Sequence, residues 1–144
     1  MDENLKYLKE AFSLPEQDIR SFSPLTLAYI GDGVYELVIR TVLVQRGNRK
    51  ASRLHEEASR LVKASAQSEI LRRIEPHLTE EELSVYKRGR NAHSPTMAKH
   101  ASMSDYRRAT GFEALIGYLY LKEDLRRIVD LVRLGISTGD KYEQ

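Results

Sequence analysis

Two carboxylates stand where packing alone would not put them. Asp32 lies between Gly31 and Gly33 in the most apolar stretch of the chain, 24–44, and Glu113 lies in the run Gly-Phe-Glu-Ala-Leu-Ile-Gly at 111–117. A glycine inside a helix costs roughly 1 kcal/mol relative to alanine, and an ionised carboxylate taken out of water without a partner costs more. Glycines permit close approach of another backbone or of a ligand, and a carboxylate in apolar surroundings wants a cation. That cation has two sources. One is an arginine of the chain, such as Arg40 for Asp32; the other is Mg²⁺ or Mn²⁺, which takes one or two carboxylates and keeps several waters. Either carboxylate alone fits an ion pair as well as a ligand set, whereas two on separate apolar, glycine-bearing segments favour the metal. Glu36, four residues after Asp32, shares its helix face, as does Thr110, three residues before Glu113. Tyr106 lies one turn before Thr110.

The remaining chemistry-bearing residues are basic. Residues 46–73 carry eight Lys or Arg against three acids, and 86–108 carry six against one, a net +5 in each zone of a chain whose total is +2. Clustered cations suit a polyanion, because phosphate contacts need local rather than average charge; solvated helix faces are an equal reading of charge alone. Lys87, Arg88, Arg90, Lys99, Arg107 and Arg108 are the leading phosphate-contact candidates, with Arg60 and Lys63 behind them. His55, His77, His93 and His100 have no metal-ligand spacing and read as surface or capping residues, with His93 and His100 in a basic loop.

Helices must position these groups, since almost every segment has helical period and almost none alternates as a strand. A short helix is expected at about 4–12. Ser23–Pro24 caps and opens the next, which stops at Gly47–Asn48; being apolar nearly all round, it is expected to be the buried central helix. A helical region follows at about 51–74, with a break near Ala64–Ser65, ended by Pro76. Thr79 and Glu82 have capping-box spacing and open a helix to about Arg90. Residues 91–102 read as a loop. Ser102 or Ser104 caps a helix reaching about Lys122, and a last helix from about Asp124 is expected to end at Gly135.

The 144 residues fit one domain with its own core, with 1–21 as an N-terminal extension and 137–144 as a frayed tail. A 41% hydrophobic and 31% charged composition is that of a globular protein rather than a disordered one. The chain has no cysteine, which excludes disulfides and thiolate metal sites and fits a reducing, cytoplasmic setting. Asp32, Glu36 and Arg40 interrupt the one long apolar stretch, so no membrane span and no membrane partner is expected.

The run Leu-Ala-Tyr-Ile-Gly-Asp-Gly-Val-Tyr-Glu-Leu-Val-Ile at 27–39 resembles the signature helix of the ribonuclease III catalytic domain, whose core is Phe-Leu-Gly-Asp. Phe-Glu-Ala-Leu-Ile-Gly-Tyr-Leu-Tyr at 112–120 resembles that domain's second acidic helix. With Tyr-Lys-Arg-Gly-Arg-Asn-Ala-His-Ser at 86–94 and no double-stranded-RNA-binding domain after it, the chain is similar to the Mini-ribonuclease III family over about residues 22–139. The resemblance implies an all-α, ribonuclease III-like domain of six to seven helices, acting as a homodimer. It implies a Mg²⁺-dependent endoribonuclease of double-stranded RNA, with Mn²⁺ a possible substitute, leaving a 5′-phosphate and a 3′-hydroxyl. Asp32 and Glu113 would be the catalytic, metal-binding carboxylates, with Thr110, Glu36 and Tyr106 around them. The substrate it points to is precursor 23S ribosomal RNA, free or in pre-ribosomal particles. The chain departs from full-length ribonuclease III at Ala28 and Thr110, each an acid there. Two competing expectations follow: a duplex-RNA-binding ribosome-assembly factor that has lost catalysis, and a helical interaction domain whose acids pair with arginines.

Overall fold

Serine, threonine and aspartate caps set most of the helix starts. In the computed structural model, which describes residues 2–92 and 102–137, the elements are α1 (Asp2–Ala11), α2 (Pro24–Gln45), α3 (Ala51–Val62), α4 (Ala64–Ile74), α5 (Glu80–Asn91), α6 (Met103–Leu121) and α7 (Leu125–Ser137). Short 3-10 turns precede α2 and follow α4, and there is no strand among the described residues. Ser23 accepts from the Thr26 amide with Pro24 at the first helical position, so α2 starts where its sequence dictates. Thr79 and Glu82 form both halves of a capping box at α5. Ser102, not Ser104, caps α6. The break expected near Ala64–Ser65 falls at Lys63, whose extended backbone separates α3 from α4. Most of the 91–102 loop, including His93, Lys99 and His100, lies outside the described residues.

The helix at the centre is α6 rather than α2. Residues 109–112 and 114–119 of α6 are all buried, because α2, α4 and α5 pack around it. On α2 only Leu27, Ala28, Gly31, Val34, Tyr35, Ile39 and Leu43 are buried, while Tyr29, Leu37, Val42 and Val44 face outward. One small domain cannot cover a 22-residue apolar helix on every side, so an apolar face is left over. Tyr35 and Phe112, both fully buried, pack edge to face with ring centroids 5.1 Å apart and lock α2 to α6. The Tyr35 hydroxyl donates to the Leu61 carbonyl at 2.7 Å, tying the end of α3 to the same seam.

Gly135 does not end the last helix, which continues to Ser137. A Cβ at Gly135 would overlap the Ile70 side chain, so the glycine serves close packing of α7 on α4 rather than termination. Arg73 donates to the Gly135 carbonyl at 2.8 Å across the same contact. A second tie, Arg127 on α7 to the largely buried Glu82 carboxylate at 2.8 Å, clasps α7 to α5 and holds the Glu82 pKa below its usual value. Among the described residues no helix is long and apolar enough to cross a membrane.

Candidate active site

The site is made by a helix crossing with no room for a methyl group. A Cβ on Gly31 would overlap the backbone carbonyl of Glu113, and a Cβ on Gly117 would overlap that of Leu27. The backbones of α2 and α6 therefore touch, one residue from Asp32 on one helix and at Glu113 on the other. Gly33 is different: among the described residues outside its own helix turn nothing lies within 4 Å of its missing Cβ, so of the two glycines Gly31 makes the close approach. A parallel device seats α5, where a Cβ on Gly89 would come within 2.7 Å of the Ala114 Cβ.

This crossing brings the Asp32 and Glu113 carboxyls within hydrogen-bonding reach of each other. Their environments differ. Asp32 is exposed, contrary to the buried carboxylate its apolar helix suggested. Glu113 is the largely enclosed one, and its pKa is pushed up to about 8. Burial is the main cause, followed by the Asp32 charge and the hydrogen bond with it; a hydrogen bond from Gln67 acts in the opposite direction. Among the described residues no arginine is paired with either carboxyl. Arg40, the alternative partner weighed for Asp32, bonds Glu36 at 3.1 Å instead, which commits the Glu36 carboxylate to the helix surface.

Gln67 is the residue that sequence reasoning missed. It is 2% exposed in the first turns of α4. Its Nε2 donates to the Val62 carbonyl at 2.7 Å and to Glu113 Oε2 at 3.3 Å, while its Oε1 is buried without a hydrogen-bond partner. The available signal was register: Gln67 precedes Ile70, Leu71 and Ile74 at helical spacing, a polar side chain on the buried face of α4. Thr110 is buried beneath the site, and its hydroxyl donates to the Tyr106 carbonyl at 3.0 Å. Ala28, one turn before Asp32, is buried as well.

The basic candidates sit on several elements. Lys87, Arg88, Arg107, Arg60 and Lys63 are exposed. Arg60 pairs with Glu56 at 3.0 Å, and Lys63 occupies the junction one residue after the Val62 carbonyl that Gln67 holds. Arg90 lies over the Tyr86 ring, its guanidinium 5.6 Å from the centroid, and Arg108 is 4.0 Å from Asp105.

Chemically the site offers two carboxyl groups and one amide. Among the described residues no three His, Cys, Asp or Glu side chains converge as a metal cage. A hydrated hard cation needs no such cage, since Mg²⁺ is held by one or two carboxylates and retains waters. A repelling carboxyl pair beside an unpartnered amide oxygen fits such an ion.

Comparison with known proteins places the chain in a family. Residues 25–124 match the Ribonuclease III domain family. The chain is 45% identical over 139 residues to a Mini-ribonuclease 3 of Clostridium tetani, covering 96% of this chain and 91% of that protein. It is 50% identical over 115 residues to the Mini-ribonuclease 3 of Brevibacillus brevis, covering 80% and 86%. A crystal structure of a Fusobacterium nucleatum protein, 33% identical, superposes with a TM-score of 0.74 over 82% of this chain and 94% of that one.

Proposed function

Because the chain belongs to the ribonuclease III domain family, within its Mini-ribonuclease 3 group, and is thus an endoribonuclease of double-stranded RNA, we propose that Asp32 and Glu113 are its catalytic carboxylates and together hold Mg²⁺. The observation that carries this reading is the carboxyl pair itself: a helix crossing with no room for a methyl group sets Glu113 against Asp32, with no arginine paired to either among the described residues. When bound, the divalent ion supplies an activated water and offsets charge on the scissile phosphate.

The chain's own residues do the rest. Asp32, open to solvent, faces incoming RNA, while Glu113 anchors the site from within α6. Gly31 and Gly117 fix the spacing of the two. Lys87, Arg88, Arg90, Lys99, Arg107 and Arg108, with Arg60 and Lys63, contact phosphates, and A-form RNA is gripped by its shape rather than read base by base. Tyr106 and Thr110 support the helix turn beneath Glu113. Hydrolysis leaves a 5′-phosphate and a 3′-hydroxyl.

The working unit is a homodimer. One site cuts one strand, and two-fold symmetry supplies the second. Its interface is the apolar groove along the outer face of α2 and α7, lined by Ile30, Val34, Leu37, Val38, Val42 and Val129, with Gly33 open beside it. The cellular substrate is precursor 23S ribosomal RNA, within pre-ribosomal particles in the cytoplasm. The decisive experiment incubates the protein and Asp32→Asn with duplex RNA in Mg²⁺ or EDTA. Mg²⁺-dependent cutting by the wild type alone is expected; equal cutting by the variant rejects the site.

A further inference from the structure

A buried amide oxygen without a donor costs about 1–3 kcal/mol, and native interiors keep few of them. Gln67 Oε1 is one, although the amide sits in a polar setting: its Nε2 already serves the Val62 carbonyl and Glu113 Oε2. If Gln67 were present only to close the end of α3, a side chain without the second polar atom would serve equally well. Exchanging the oxygen and nitrogen does not remove the problem, because the Val62 carbonyl requires a donor. The spare atom is therefore an acceptor, in a side chain that touches Glu113, where two acids alone face a cation that prefers six oxygens.

Resting on the metal reading above, we propose that Gln67 is a positioning residue of the cation site. Its Nε2 orients the Glu113 carboxyl, and its Oε1 accepts a hydrogen bond from the cation's hydration shell. The chain thereby supplies an uncharged third oxygen where Ala28 and Thr110 supply no carboxylate. An amide suits this place better than an acid would, since it adds an acceptor without adding a third negative charge to an already repelling pair.

The test measures Mn²⁺ binding directly, by the electron paramagnetic resonance of free Mn²⁺, on the wild type, Asp32→Asn, Gln67→Met and Gln67→Glu. Thermal melts in EDTA report folding separately. Gln67→Met, apolar and of similar length, is expected to weaken Mn²⁺ binding roughly 10- to 100-fold, the usual effect of removing a group that orients metal ligands. Gln67→Glu keeps an oxygen but loses the donor to Glu113, so it is expected to lose stability in EDTA like Gln67→Met and to bind Mn²⁺ more tightly than Gln67→Met, within about 10-fold of the wild type. Should Gln67→Met fail to fold, binding by Gln67→Glu within that range still supports the proposal, and binding as weak as that of Asp32→Asn overturns it. Wild-type affinity in folded Gln67→Met, with binding lost in Asp32→Asn, overturns the role of Gln67 and leaves the metal site standing. Equal binding by the wild type and Asp32→Asn overturns the metal reading itself.

Discussion

Replacing Glu113 with glutamine is expected to make the metal-free protein more stable while abolishing its use of Mg²⁺. The sign follows from the carboxyl pair. Glu113 has a pKa of about 8 in the folded protein against an ordinary value of 4.5, so between those values the folded state holds a proton that the unfolded state releases. Stability is therefore fully present below about pH 4.5 and is lost as pH rises to 8. At about 1.4 kcal/mol per unit, the ceiling of this loss is about 5 kcal/mol. Asp32 is exposed and water screens its charge, which brings the expected effect to about 1–3 kcal/mol. Glutamine is nearly isosteric, carries no charge and keeps an oxygen for Gln67. Thermal melts in EDTA from pH 5 to 9 should show the wild type losing stability across that range and Glu113→Gln flat. The variant should melt roughly 3–10 °C higher at pH 8, at about 2–4 °C per kcal/mol for a domain of this size. Added Mg²⁺ should raise the melting temperature of the wild type, more at pH 8 than at pH 5, and leave the variant unmoved, because a ligand stabilises only the state that binds it. A variant less stable than the wild type at pH 8, or equally stabilised by Mg²⁺, would refute the carboxyl-pair reasoning.

Other perturbations address the remaining parts. Asp32→Asn should reduce cleavage of duplex RNA by about 10²–10³-fold, the scale of one preorganised electrostatic group, with RNA binding nearly intact by gel shift. Gly31→Ala, whose methyl would overlap the Glu113 carbonyl, should cost about 3 kcal/mol in urea unfolding, at the upper end of overpacking costs; a loss below 0.5 kcal/mol would show that α2 and α6 shift apart freely. Lys87→Ala with Arg88→Ala should weaken binding alike for all duplex sequences and lower the slope of log affinity against log salt by about 1 per lost phosphate contact. Leu37→Asp places a charge in the apolar groove and should convert dimer to monomer in sedimentation velocity, while an unchanged sedimentation coefficient places the interface elsewhere.

Much of this architecture is legible in the chain because its signals are local. Ser23–Pro24, the Thr79–Glu82 box and Ser102 each fix a helix start through groups within three residues. What was not legible depends on neighbours far along the chain. Burial of α6 over α2 could not be read from apolarity, since α2 is the more apolar helix and its excess is surface. Gly135 resembles a helix stop until Ile70, 65 residues earlier, is seen against it. Asp32 and Glu113 were visible as misplaced acids, but which one is enclosed depends on the side from which α6 crosses. Gln67 carried the weakest signal, one polar residue at an apolar register, and its meaning appears only with Glu113, 46 positions away.

The reduced acid count of this site has a physical consequence that ties these parts together. With Ala28 and Thr110 in place of acids, the chain brings at most two negative charges to the centre, and Glu113 holds its proton below about pH 8 when no cation is present. With that proton in place Glu113 adds no charge of its own to the crossing, which a small helical domain can tolerate. A third or fourth carboxylate at the same crossing would add repulsion that Gly31 and Gly117 prevent the helices from relieving, because their backbones are already in contact. On the metal reading proposed above, this fixed geometry would hold the two carboxyls for a cation, and the proton on Glu113 would keep the metal-free fold stable.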